Sequence, residues 1–160
     1  MSGYTEIIKE LLTEQYKDRS AETIIISTFN IKFIPLKAQL LLQNYSHLRT
    51  LAIIKCDLRK LENFPVLPQL VELDLSNNSL QGTLNYLMPL KSLEYLNIAH
   101  NIISDYKELE PLRRLRKLEV YLEDNPFLEL PSWKYKIRLF GIVLLKAAKQ
   151  LGKQQAEPQE

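Results

Sequence analysis

Apolar residues return along the middle of this chain in two superposed rhythms. Over Leu73-Asp74-Leu75 and Leu96-Asn97-Ile98 apolar and polar positions alternate, which sends one face of a short strand into a core and the other toward solvent. On a longer scale the frame LxxLxLxxNxL recurs about every 22 to 23 residues. Its clearest copy is Leu70-x-x-Leu73-x-Leu75-x-x-Asn78-x-Leu80, followed by Leu93-x-x-Leu96-x-Ile98-x-x-Asn101-x-Ile103. Leu48-x-x-Leu51-x-Ile53-x-x-Cys56-x-Leu58 precedes them, with cysteine in the asparagine slot. Looser copies flank these: Ala21-x-x-Ile24-x-Ile26-x-x-Phe29-x-Ile31, and a segment from Leu115 to Phe127 that fits when about two residues are inserted before Asn125.

A period of this length with this frame is that of leucine-rich repeats. The expected fold class is therefore α/β: a right-handed leucine-rich-repeat solenoid of about five repeats, with a parallel β-sheet on its concave face and helical N- and C-caps. The amide after each strand can bond backbone groups that a bend leaves unpaired, so Cys56, Asn78, Asn101 and Asn125 are expected to form a buried structural column. Proline-bearing stretches at 61–67 and 109–112 predict 3₁₀ turns or a brief helix on the convex side.

Both ends of such a stack need covering. Tyr4, Ile7, Ile8, Leu11 and Leu12 recur at helical spacing, predicting an N-cap helix over about residues 4–17. Ile137, Phe140, Leu144, Ala148 and Leu151 predict a C-cap helix beginning near Trp133. The expected organisation is one domain over 1–152, with the N-cap at 1–20, the repeats at 21–127 and the C-cap at 128–152. The polar residues 153–160 are expected to form a flexible tail.

Composition narrows the chemistry. At 160 residues, 46% hydrophobic and 25% charged, the chain suits one globular core. The formal charge of +2 hides an excess of basic residues after position 112. One cysteine forbids an internal disulfide and fits a reducing, intracellular setting. No stretch has the ~18 apolar residues of a membrane span, and the N-terminus lacks the order of a signal peptide, so a soluble, non-secreted protein is expected. The four scattered glycines form no phosphate loop, and His47 and His100 have no cysteine partners, so neither a cofactor nor a metal is expected. Asp74, Ser76 and His100 could approach one another as a hydrolytic triad, but the frame offers neither a strained nucleophile turn nor oxyanion donors. A non-enzymatic role is expected.

Three segments carry a more specific likeness: residues 61–84, with the step Asn78-x-x-x-Gly82-x-Leu84; residues 93–101; and the turn Glu110-Pro111-Leu112-Arg113-Arg114-Leu115. Together, over about residues 48–127, they resemble the acidic leucine-rich nuclear phosphoprotein family. The resemblance implies a capped repeat domain in a nuclear protein that contacts histones as a chaperone, or inhibits a Ser/Thr protein phosphatase. After Trp133 this chain departs from the family's acidic tail, with Lys134, Lys136, Arg138, Lys146, Lys149 and Lys153 against Glu157 and Glu160. It is also similar to the leucine-rich A-prime protein of a spliceosomal ribonucleoprotein in repeat size and in Asn125-Pro126. That likeness implies binding of a protein together with RNA.

The register names a candidate surface. Outward positions read Ile25 and Ser27, Ala52 and Ile54, then Glu72, Asp74 and Ser76, Tyr95, Asn97 and Ala99, and finally Glu119, Tyr121 and Glu123. The partner-binding residues expected on the concave face are Glu72, Asp74, Ser76, Tyr95, Asn97, His100, Glu119, Tyr121 and Glu123. An acidic surface bearing tyrosines suits a basic, histone-like protein segment or a phosphatase. The same residues also suit an ordinary solvated sheet face, but the outward Ile25, Ile54, Tyr95 and Tyr121 favour a docking surface. The basic residues Arg113, Arg114, Arg116, Lys117, Lys146, Lys149 and Lys153 leave an RNA contact as the alternative. The expectation is a nuclear, monomeric interaction module without a membrane association.

Overall fold

Where the LxxLxL frame recurs, the backbone extends, because alternating apolar side chains can be buried only if the other face of the strand is left outside. A computed structural model of the chain describes Tyr16, residues 19–135 and the backbone of 143–144. Its strands are β1 (Thr23–Ser27), β2 (Thr50–Ile54), β3 (Glu72–Asp74), β4 (Tyr95–Asn97), β5 (Glu119–Tyr121) and β6 (Val143–Leu144). They form one sheet in sequential order. Every neighbouring pair is parallel. The chain is a leucine-rich-repeat solenoid, as its frame predicts.

The register keeps the repeat positions in rows. Ile24, Leu51, Leu73, Leu96 and Val120 lie opposite one another. All of them are buried. The row continues outward from the sheet through Leu58, Leu80, Ile103 and Phe127 into one hydrophobic core. A core made of stacked, equivalent side chains ties each repeat to its neighbours rather than to distant parts of the chain.

The return segments are short. An α-helix, Leu36–Leu42, buries Ala38 and Leu42 and starts after Pro35. Later returns use 3₁₀ segments at Leu84–Leu87, Tyr106–Arg114 and Pro126–Glu129. The longest is fixed at its start by a reciprocal cap: Asp105 Oδ1 accepts from Lys107 N–H at 2.9 Å, and Glu108 Oε1 accepts from Asp105 N–H at 3.1 Å. The other oxygen of Glu108 accepts from the Gly82 amide of the preceding repeat. Gly82 has φ of 77°, a left-handed conformation that glycine adopts without a Cβ penalty.

The polar column is where the turns are held. Asn78 Oδ1 accepts from Cys56 and Leu58 N–H at 3.0 and 3.1 Å, while its Nδ2 donates to the Ile53 and Leu75 carbonyls at 2.7 and 2.9 Å. Asn101 and Asn125 repeat the pattern, accepting from Leu80 and Ile103 N–H and donating to Leu75 and Ile98 of the repeat before. Cys56, in the same slot, directs its thiol to the Ile26 and Ile54 carbonyls at 3.7 and 3.2 Å. A thiol is a poor acceptor. The Ile31 amide, at the position served elsewhere by an Asn Oδ1, accordingly bonds the Cys56 carbonyl.

One position before this column, Thr28, Lys55, Asn77, His100 and Asp124 all have φ between 52° and 64°. Each turn therefore carries a left-handed residue at this position, and the turn at Cys56 carries a second at Asp57. The amides of the first four donate to the carbonyls of Ile54, Ser76, Ala99 and Glu123 in the following repeat, extending the ladder past the strands.

Leu144 was expected on a continuous helical face running to residue 152; instead Val143–Leu144 is a strand paired with β5. A parallel strand there satisfies the backbone groups on the open edge of β5, which a helix cannot do. The helix expected near Trp133 does begin at that residue. The N-cap helix falls outside the described residues except Tyr16, whose hydroxyl accepts from the Ile25 amide at 3.0 Å on the free edge of β1. Tyr45 Oη donates to the Tyr16 carbonyl at 2.8 Å.

Candidate partner-binding face

The register that buries Leu51, Leu73, Leu96 and Val120 necessarily aligns the residues beside them on the opposite face. One row reads Thr50, Glu72, Tyr95, Glu119, and the next Ala52, Asp74, Asn97, Tyr121. All of these except Glu119 line, together with Ile25 and Ile54, a shallow concavity of about 460 Å³. The expected residues Glu72, Asp74, Tyr95, Asn97, Glu119 and Tyr121 are thus brought together.

Their local geometry differs from place to place. Asp74 is held at both oxygens: Oδ1 accepts from Ser76 N–H at 2.8 Å and Oδ2 from Asn97 Nδ2 at 3.1 Å. Asn97 is fixed in turn by accepting from Ala99 N–H at 3.1 Å. Glu72 has only a long contact, from Thr50 Oγ1 at 3.4 Å. Among the described residues neither Glu72 nor Glu119 has an ion-pair partner. Tyr95 stands between them with 41% of its surface exposed. The Glu119 carboxylate, helped by partial desolvation and by Tyr121, Glu94 and Glu72, pushes its phenol above the usual value of 10.0.

Three expected residues sit differently. Ser76, expected outward, is buried at 6% exposure, because it lies past the end of β3 where the chain turns inward to Asn78. His100 occupies the left-handed turn position and bonds Asp124 Oδ2 through Nδ1 at 2.9 Å. Glu123 lies half-buried at the lip, its carbonyl taking the His100 amide. The hydrolytic arrangement of Asp74, Ser76 and His100 is not assembled: Asp74 is engaged by Asn97 and His100 by Asp124.

At the N-terminal end the face is apolar. Ile25 is 49% exposed, and Ile54 is half-buried beside it. On the convex side Met88, Lys107, Glu110, Arg113 and Arg114 line a second cleft of about 570 Å³, in which Arg113 approaches Glu110 at 3.7 Å. Cys56 is fully buried, and burial raises its thiol pKa against the opposing backbone hydrogen bonds. A reactive thiolate is not favoured there. The described residues contain no group of three metal-ligating side chains and no helix long and apolar enough to cross a membrane.

Residues 69–89 match the family described as Leucine Rich Repeat. The chain is 37% identical over 98 residues to the acidic leucine-rich nuclear phosphoprotein 32 family member A of Drosophila pseudoobscura pseudoobscura, covering 61% of this chain and 37% of the relative. It is 32% identical over 127 residues to an acidic leucine-rich nuclear phosphoprotein 32-related protein of Oryza sativa subsp. japonica, covering 78% of this chain and 26% of the relative. The chain thus spans well under half the length of the curated relatives it matches. Among solved structures, a chain of the Drosophila melanogaster SNF/U2A′ complex superposes with a TM-score of 0.57 at 25% identity, over 81% of this chain and 78% of that one.

Proposed function

We propose that the chain is a leucine-rich-repeat protein of the acidic leucine-rich nuclear phosphoprotein family, to whose members it is 32 to 37% identical, and that it is a non-enzymatic interaction module that docks a basic protein segment on its concave sheet. The observation that carries this reading is the row Glu72, Tyr95, Glu119. Two carboxylates without cationic partners among the described residues and an exposed ring stand side by side on the sheet, in a chain whose overall charge is +2. Charges segregated in this way guide encounter with a cationic partner, and the ring and the neighbouring isoleucines supply contact area. A histone tail or a phosphatase surface has the required chemistry. The names of the relatives support a nuclear setting.

The test is charge reversal. E72K/D74K is expected to abolish capture of the partner from nuclear extract while circular dichroism and melting remain those of the parent; unchanged capture would remove the concave face from the account.

A second reading is supported by the likeness to the SNF/U2A′ complex and by the convex cluster of Lys107, Arg113 and Arg114. As a ribonucleoprotein component the chain would bind RNA phosphates, and its affinity would fall steeply with salt. A flat or absent response removes that reading.

A further inference from the structure

We propose that Tyr95, with Glu72 on one side and Glu119 on the other, forms a cradle that takes a single arginine or lysine side chain of the partner. The proposal rests on the concave-face reading and narrows it from a surface to one recognition point.

The register carries the geometry. Glu72 and Glu119 are the in-register neighbours of Tyr95 on β3 and β5. Strands lie about 4.8 Å apart, so the two backbones flank Tyr95 at that spacing and lie about 10 Å from one another. A cation seated over the ring needs to be within about 6 Å of its centroid. Such a cation stands within reach of a flexible glutamate from either side. One positive charge would then meet a ring face and two carboxylates together.

Among the described residues, no cation occupies that position. Lys117 Nζ approaches Glu94 at 4.0 Å, but no ion pair joins Lys117 or any other described residue to Glu72 or Glu119. The neighbouring Asp74 is already held by Asn97 and by the Ser76 amide, so it contributes charge without competing for the ring. The raised phenol pKa of Tyr95 is consistent with a site short of positive charge. The apolar end of the concavity, at Ile25 and Ile54, gives the rest of the segment a place to lie. Arginine suits the cradle better than lysine, because its planar guanidinium stacks on a ring while donating to carboxylates at its edges.

The test uses a Gly/Ser peptide with one central arginine and its citrulline counterpart, which keeps the shape and removes the charge. Nuclear magnetic resonance of the whole chain follows the backbone amides of the concave strands, at and around position 95, at low salt. Saturable shifts centred on Tyr95 are expected with the arginine peptide, and affinity at least tenfold weaker with citrulline. Y95F should stay within about twofold of the parent, whereas Y95L should weaken binding about tenfold, which corresponds to about 1.4 kcal/mol. E72Q/E119Q should abolish the preference for arginine. Equal binding of the two peptides, or shifts mapping away from Tyr95, would overturn the cradle. If E72K/D74K abolishes partner capture while Y95L leaves it unchanged, the concave face stands and the cradle falls; if neither affects capture, both fall.

Discussion

Asn78 shows how much one side chain holds in this fold. Its amide serves two N–H groups and two carbonyls at less than 3.2 Å, linking its own turn to the one before. Alanine there would strand the Cys56 and Leu58 amides in the core. Asn78→Ala is expected to destabilise the domain by about 3 kcal/mol, measured by urea denaturation; a neutral result would contradict the bonded column. The column was legible from Asn78, Asn101 and Asn125 at nearly regular spacing. The left-handed residue before each was not, because Thr28, Lys55, Asn77, His100 and Asp124 share no side-chain type: the backbone ladder imposes that conformation.

Tyr95 gives the residue scale its pH signature. Its folded pKa is raised above the usual 10.0, chiefly by Glu119. The associated stability is therefore fully present below pH 10 and is lost as pH rises through the folded value. In ¹³C spectra of the tyrosine ring carbons, Tyr95 should titrate above 10.0, and E119Q should bring it back toward that value. A titration unaffected by E119Q would show that Glu119 does not set the potential at this face.

Among the elements, the strands were the readable part. Leu73-Asp74-Leu75 and Leu96-Asn97-Ile98 fix both strand and facing, so Glu72, Asp74, Tyr95 and Asn97 could be placed side by side in advance. Ser76 could not, since alternation ends where β3 ends and the chain turns inward. Val143–Leu144 was misread for a different reason: a short apolar run satisfies helical and strand periodicity alike, and the open edge of β5 decides between them. The 3₁₀ segment Tyr106–Arg114 depends on a contact that no local pattern reveals, Glu108 reaching both its own cap and the Gly82 amide. Glu108→Ala is expected to cost about 1 to 2 kcal/mol in thermal unfolding, whereas the exposed Glu110→Ala should be nearly neutral. Equal effects would mean that the cap does not anchor the segment.

At the scale of the whole molecule, sequential parallel strands keep every repeat in contact with its neighbours and leave one curved face of aligned side chains. The period that builds the core also writes the face, so fold and candidate surface were legible together. The identity of the partner is a property of two surfaces, and a repeat frame encodes only one of them. The most direct measurement places a photo-crosslinking benzoylphenylalanine at Tyr121, on the concave face, and in a second protein at Arg113, on the convex cleft. In nuclear extract the account predicts a protein crosslink from position 121 and none from 113; a partner joined through 113 alone would contradict it.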